Sequence, residues 1–217
     1  MTSDFELKNR VLAELEFEPS VKVEDIGVSV KEGIVTLNGL VGDYAEKLAA
    51  ASAAKRVAGV KGLADELVVE LPTSSLRTDS DIAAAAVNGI RWITTVPEDA
   101  VKVTVRGGWL SLEGAVEEGA QRIAVENAVR YLAGVRGLTN LIAIKPKVPS
   151  TDVKREIEAA FERHALLDAK QIKVETTGGK VVLRGNVRSF TEREEAERAA
   201  WAAPGVSNVE NRIILAV

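Results

Sequence analysis

The stretch KEGIVTLNGLV, residues 31–41, decides the fold, because close variants of it occur twice more in the chain. They are RGGWLSLEGAV at residues 106–116 and GGKVVLRGNV at residues 178–187. Aligning Gly39 with Gly114 and Gly185 sets offsets of 75 and 71 residues. The same offsets align two more sets of residues, namely Gly59, Gly134 and Gly205, and Leu7, Ile82 and Val153. Three anchors held at one spacing indicate three tandem copies of a unit of about 70 residues.

Two stretches rich in Pro, Ser and Thr separate the three copies. They are LPTSSLRTD at residues 71–79 and KPKVPSTD at residues 145–152, and their prolines are expected to stiffen them. The Ser, Thr and Asp residues at the end of each linker favour helix N-capping. Ser3 with Glu6 likewise has the spacing of a capping box before the first copy. We therefore expect copy one over residues 1–71, copy two over residues 78–145 and copy three over residues 150–217.

The hydrophobic period changes in the same order in each copy. An apolar stripe at i, i+4 and i+8 comes first and predicts a helix. Its members are Leu7, Val11 and Leu15, then Ile82, Ala86 and Ile90, then Val153, Ile157 and Phe161. Two alternating runs around a glycine turn then predict a β-hairpin, followed by an Ala- and Val-rich helix and a closing strand. The sequence therefore predicts an α+β protein of three αββαβ domains. Each would be a three-stranded sheet covered on one face by two helices, with the strand order open.

Composition limits the classes of protein that this chain can be. A hydrophobic content of 46% allows a sizeable core, and the absence of cysteine excludes disulfides, thiolate catalysis and cysteine-based metal sites. No stretch approaches the ~18 apolar residues of a membrane span, and the N-terminus does not resemble a signal peptide. The net charge of −4 argues against nucleic acid as a partner. We expect a cytoplasmic, non-transmembrane protein, with peripheral membrane contact left open.

The chain offers little for catalysis. His164 is the only histidine and has no evident nucleophile or orienting acid, so we interpret it as a surface residue. Clustered glutamates at residues 117–118 and 192–197 are interpreted as solvated helix faces, because carboxylates suit helix starts and no oxygen-rich metal loop is evident. The glycines lack the Gly-Lys-Ser/Thr of a phosphate loop. We predict no catalytic residues, no metal and no cofactor.

The tryptophans are the strongest candidates for binding. By strand alternation Trp109 should lie on the outer sheet face, where it could dock another copy, bind an external partner or a second chain, or be an ordinary strand residue. Trp92 ends the first helix of copy two. It is either a satellite core residue that packs on Val96 or a membrane-interface residue, with Arg91 beside it to meet lipid phosphate. Trp201 should pack on a neighbouring copy or on the C-terminal strand.

The repeated pattern resembles the BON domain, named for bacterial OsmY and nodulation proteins. The residues that carry the resemblance are Val28-Ser29-Val30, the stretch Gly33 to Val41, and Gly59-Val60. Copy three keeps the motif at residues 179–187, and copy two departs from it with Trp109 and a second glycine at residue 107. The resemblance implies the αββαβ fold. It also implies a link to osmotic or envelope stress, phospholipid binding in some members, and no shared catalytic residues.

Two functions follow as hypotheses. The first is a non-enzymatic, stress-associated binding or scaffold protein whose domains dock, and whose target is an anionic phospholipid surface, another protein or the chain itself. Its tentative contact residues are Arg91, Trp92 and Trp109. The alternative is a small-ligand or potassium sensor, in which backbone carbonyls at glycine turns would meet a hard cation.

Overall fold

The computed structural model describes residues 3–146, 152–164, 167 and 169–216, and it contains the predicted element order in each copy. The helices are α1 Asp4–Phe17, α2 Tyr44–Arg56, α3 Asp79–Arg91, α4 Gly119–Val129, α5 Val153–Arg163 and α6 Phe190–Ala202. The strands are β1 Ile26–Lys31, β2 Ile34–Val41, β3 Gly62–Val69, β4 Val101–Arg106, β5 Trp109–Val116, β6 Gly137–Ile144, β7 Ile172–Thr177, β8 Lys180–Val187 and β9 Asn208–Leu215. Most of the second linker, with its Pro149, lies outside the described residues.

Each copy forms its own three-stranded sheet with the second strand in the centre. In copy one the order is β1-β2-β3, with β2 antiparallel to β1 and parallel to β3. The other two sheets repeat this arrangement. The parallel pair requires a crossover, and the second helix of each copy supplies it. The α+β class and the αββαβ units predicted from the sequence are confirmed, and the open question of strand order is answered.

The repeated glycine in the central strand has a steric cause. Gly39 has φ +123°, and a Cβ placed there would lie 2.0 Å from the carbonyl oxygen of Asp25, just before β1. Gly114 and Gly185 have φ of +138° and +141°, with the same close approach to the chain before β4 and β7. Other residues rarely adopt this conformation. The glycine that aligns the three copies is therefore required by the hairpin.

Each copy buries its own apolar core between the helices and one face of its sheet. The nine residues of the predicted first-helix stripes are all buried, as are the inward residues of the central strands. The second helices pack closely through small side chains, and Ala50, Ala53 and Ala54 are fully buried in copy one. The capping box of Ser3 and Glu6 is also present.

The three copies contact one another, as the docking hypothesis predicted. Helix α6 of copy three packs against α2 of copy one and α4 of copy two. Lys55 Nζ of α2 lies 2.5 Å from Glu194 Oε1 of α6. Trp201 packs against the cores of both copy two and copy three, so the prediction that it meets a neighbouring copy is confirmed.

Candidate binding surface on copy two

The outward face of α3 differs from the outward faces of the other first helices. No charged residue occurs from Ile82 to Ile90, and Ala84, Ala85, Val87 and Asn88 are exposed in this interval. In copy one the corresponding turns of α1 carry charged side chains, and in copy three those of α5 do too. Because a solvated helix face is ordinarily polar, an uncharged outward face suits contact with something other than bulk water.

Trp92 follows α3 as its C-cap residue and is 86% exposed. Val96 lies in the core of copy two, and Trp92 is too exposed to belong to that core, so the prediction that Trp92 is a satellite core residue is wrong. Its neighbour Arg91 has Nε 3.9 Å from Glu98 Oε1, and both side chains are largely exposed. An exposed ion pair at this separation contributes little, so Arg91 is free to exchange Glu98 for another anion.

A shallow cleft of about 200 Å³ opens beside Arg91. Its walls include Val101 and Val103 from β4, and Glu98 and Asp99 stand at its rim with Arg91. Val101 and Val103 are half-buried, whereas the corresponding residues of copies one and three are buried.

The cleft has a cause in the sequence. Val23 of copy one lies three residues before the first strand and packs on the core of that copy. Ala169 does the same in copy three. Copy two has Glu98 at this position, and its side chain is exposed. The cover over the first strand is therefore missing in copy two. Sequence reasoning missed this cleft, although the alignment of Glu98 with two apolar residues was a signal that could have revealed it.

Trp109 lies on the outer face of its own sheet, as alternation predicted. Its side chain is 51% exposed, Nε1 donates a hydrogen bond to Thr139 Oγ1 at 2.9 Å, and its ring covers Gly137. These contacts lie on β6 of the same copy, and docking of Trp109 against another copy stays a prediction. The exposed part leaves an external partner as a prediction.

The two candidate tryptophans belong to different ends of copy two. The Asp79 carboxylate at the start of α3 accepts hydrogen bonds from the backbone N–H groups of Gly107 and Gly108, next to Trp109. These two bonds hold the pKa of Asp79 below its ordinary value. Trp92 stands at the other end of this 13-residue helix, which spans roughly 20 Å. The structure brings Arg91 and Trp92 together and leaves Trp109 apart.

The polar clusters considered for catalysis are engaged in structural contacts. His164 is half-buried rather than on the open surface as predicted, and its Nε2 lies 3.3 Å from Glu195 Oε2. Glu192 accepts the backbone N–H of Arg188, and Glu197 accepts the side-chain amide of Asn211. Glu192 and Glu197 are therefore half-buried and hydrogen-bonded rather than merely solvated, whereas Glu118 and Glu194 are exposed, as the solvated-face interpretation expected.

In the part of the chain that the structure describes, no three or more acidic or histidine side chains come close enough to hold a metal ion. No helix in the same ranges has the length and apolar character needed to cross a bilayer. The potassium-sensor alternative stays a prediction.

The family model named BON domain matches the chain three times, at residues 3–70, 78–146 and 149–216. The chain belongs to the BON domain family. One relative is the osmotically-inducible protein Y of Escherichia coli (strain K12), which is 33% identical over 113 residues. This match covers 47% of the present chain and 55% of the relative, so it spans about half the length of that protein.

Solved structures similar to the three BON domains are more distant. Two come from CdsD, a structural protein of the type III secretion system of Chlamydia trachomatis, each 12% identical with a TM-score of 0.27. They cover 96% and 99% of this chain, which in turn covers 91% and 100% of theirs.

Proposed function

We propose that this chain is a non-enzymatic, stress-associated binding protein whose second BON domain contacts an anionic phospholipid surface. The observation that carries the proposal is Trp92, 86% exposed beside Arg91 at the end of a helix whose outward face is uncharged. The stress association rests on family membership and on the osmotically-inducible relative.

The chemistry of this helix end suits the boundary between water and lipid. Tryptophan combines an apolar ring with one N–H donor and concentrates at membrane interfaces for that reason. Arginine offers a planar fork of donors that matches a phosphate group. The exposed Val87 and the alanines of α3 add apolar area next to both residues. We expect α3 to lie along the surface of the bilayer, because its main apolar stripe is already buried in copy two.

Charge sets the expected strength of the contact. The net charge is −4, and Glu98 and Asp99 stand beside Arg91. A single basic residue near an anionic surface contributes about 1 kcal/mol, and salt screens this attraction. Binding is therefore expected to be weak, salt-sensitive and strengthened when Glu98 is neutralised.

The test is co-sedimentation of the full chain with phosphatidylglycerol vesicles and with phosphatidylcholine vesicles, at low and moderate salt. We expect binding to the anionic vesicles alone, with a blue shift of tryptophan emission. Trp92→Ala and Arg91→Glu should abolish binding, and Glu98→Gln should increase it several-fold.

Two matched variants control for the loss of an exposed aromatic ring. Phe17 of copy one corresponds to Trp92, is 78% exposed and is preceded by Glu16 instead of an arginine. Phe17→Ala is therefore the first control. Trp109→Ala changes the exposed ring at the far end of copy two. Both variants should bind as the natural chain does. Equal binding by Trp92→Ala and the natural chain would refute the proposed contact, and binding lost only in Trp109→Ala would move it to the outer sheet face.

A further inference from the structure

Among the described residues, three contacts between copies use the two ends of the second helices. The first residues of these helices occupy equivalent positions in the repeat and are Tyr44, Gly119 and Phe190. A second equivalent set lies near the other ends of the same helices and consists of Lys55, Arg130 and Trp201. In each contact the start of one second helix meets the far end of another.

Contact 1–2 joins the start of α2 to copy two. Tyr44 packs against the core of copy two, and its phenol lies near the backbone of Leu138. Burial raises the pKa of this phenol, while the nearby Arg130 opposes the shift. The half-buried ring of Tyr44 thus packs against the cores of both copy one and copy two.

Contact 2–3 joins the start of α4 to copy three. A Cβ at Gly119 would lie 2.2 Å from the carbonyl oxygen of Trp201, so the two backbones meet without a side chain between them. The guanidinium of Arg122 lies 4.3 Å from the centre of the Trp201 ring, within the range of a cation–π contact. Here the aromatic ring comes from the far end of the helix, and glycine provides the room for it.

Contact 3–1 joins the start of α6 back to copy one. Phe190 packs against the core of copy one. Four residues later on the same face, Glu194 pairs with Lys55 at 2.5 Å. This contact links the third copy to the first and completes the order one, two, three, one.

We infer that the two ends of the second helix form an association surface whose partner is the second helix of another BON domain, and that the three copies here satisfy one another in a closed cycle. The start of a second helix and its far end are different surfaces, so each contact is head-to-tail. Head-to-tail contacts form a closed ring when the rotation from one unit to the next allows it. Each contact includes an aromatic ring, namely Tyr44, Trp201 or Phe190. A closed cycle occupies the two ends of each second helix, so we expect an external partner to meet the first helices or the outer sheet faces.

The test compares single and double breaks of the cycle in the full chain. Gly119→Tyr breaks contact 2–3 by placing a side chain against the backbone of Trp201, and Phe190→Ser breaks contact 3–1. In a closed cycle either single variant leaves copy three held by one remaining contact. We therefore expect X-ray scattering in solution to give nearly the natural radius of gyration for each single variant and a clear increase for the double variant.

Two further variants guard against simple misfolding. Trp201→Ala opens contact 2–3 from its other side and should also expand the chain only in combination with Phe190→Ser. Phe5→Ser removes a ring that is 73% exposed and should expand the chain in no combination. Expansion by Gly119→Tyr and by Trp201→Ala alone, or a double variant as compact as the natural chain, would overturn the closed cycle.

Chemical cross-linking gives an independent readout, because the chain has no cysteine. Cysteines placed at Lys55 and Glu194 should be joined within one chain by a short bismaleimide. Cysteines placed at Lys55 and at Glu175, on β7, should not be joined. Cross-links that form only between chains would also overturn the inference.

Discussion

Copy one and copy two bury the same pattern but present different outward faces. Leu7, Val11 and Leu15 of α1 correspond to Ile82, Ala86 and Ile90 of α3, and all are buried. Outside this stripe α1 carries charges along its length, whereas α3 is uncharged from Ile82 to Ile90 and leads to Arg91 and Trp92. Before the first strand, the partly buried Val23 of copy one becomes the exposed Glu98.

The difference separates what the fold requires from what it leaves free. A close-packed interior excludes charged side chains, so the inward positions of the repeat stay apolar in every copy. Outward positions have no such restriction, and those of copy two differ from the equivalent positions of the other copies. The positions at which one copy departs from the others are therefore the first places to look for function.

The largest loss of stability is expected from a substitution of the central-strand glycine that all three copies share. Gly114→Ala introduces a Cβ 2.0 Å from the carbonyl oxygen of Ala100, at a φ of +138°. We expect a loss of about 3 kcal/mol in the free energy of unfolding, since backbone strain and a clash with a fixed carbonyl act together. Gly39→Ala should cost copy one a similar amount. Urea unfolding followed by circular dichroism measures both.

A second glycine provides the control for this prediction. Gly107 also has a positive φ, +59°, but no described atom lies within 4 Å of the Cβ that it would gain. Gly107→Ala should therefore cost only about 1 kcal/mol, the ordinary price of left-handed backbone. Equal losses at Gly107 and Gly114 would mean that the contact with Ala100 does not limit the central strand.

An intermediate effect on the free energy of unfolding is expected when Val23 of copy one and Glu98 of copy two each take the residue type of the other. Glu98→Val restores the residue type of Val23, fills the cleft over Val101 and Val103, and should raise the free energy of unfolding by about 1 kcal/mol. Val23→Glu should lower it by about 1–2 kcal/mol, because a carboxylate replaces an apolar contact.

Thermal unfolding of both single variants measures this exchange. Threonine provides the matched control at position 98, since Glu98→Thr removes the charge and adds little apolar area. If Glu98→Thr stabilised the chain as much as Glu98→Val, the effect would come from removing the carboxylate and not from covering Val101 and Val103.

The sequence predicted the fold well because the same evidence occurs three times. Periodicity placed the stripes of the helices, and the glycine at residue 39 and its equivalents fixed the alignment. Strand order could not be predicted, since the alternation of a strand reports its faces and not its neighbours. Alternation placed Trp109 correctly on the outer sheet face, but the contact of its ring with Gly137 could not be predicted, because alternation gives the face of a residue and not what it covers.

The candidate site was predicted in part. The exposure of Trp92 depends on where the chain turns after α3, and a single apolar pair such as Trp92 and Val96 does not determine that turn. His164 was misplaced for a similar reason, since its partner Glu195 is distant in sequence and close only in the folded copy. Contacts between copies depend on the joint position of several helices, which no local pattern encodes.

The smallest expected effect concerns the hydrogen bonds between the start of α3 and the turn of the β4–β5 hairpin. Asp79 accepts the N–H groups of Gly107 and Gly108, and Asp4 does the same for Glu32 and Gly33 in copy one. The pKa of Asp79 is lowered in the folded chain by these bonds, relative to an ordinary value of about 3.9. Their contribution is therefore present at neutral and weakly acidic pH, and it is lost as the pH falls through the lowered pKa.

Amide proton shifts measured by NMR between neutral and strongly acidic pH test these hydrogen bonds. The signals of Gly107 and Gly108 should move together with a midpoint below 3.9, because protonation of Asp79 weakens both hydrogen bonds. Asp79→Asn should abolish this movement and leave the Glu32 and Gly33 signals at neutral pH unchanged. A movement of the Gly107 and Gly108 signals that survives in Asp79→Asn would mean that another group senses the pH, and that copy two orders its hairpin without the carboxylate.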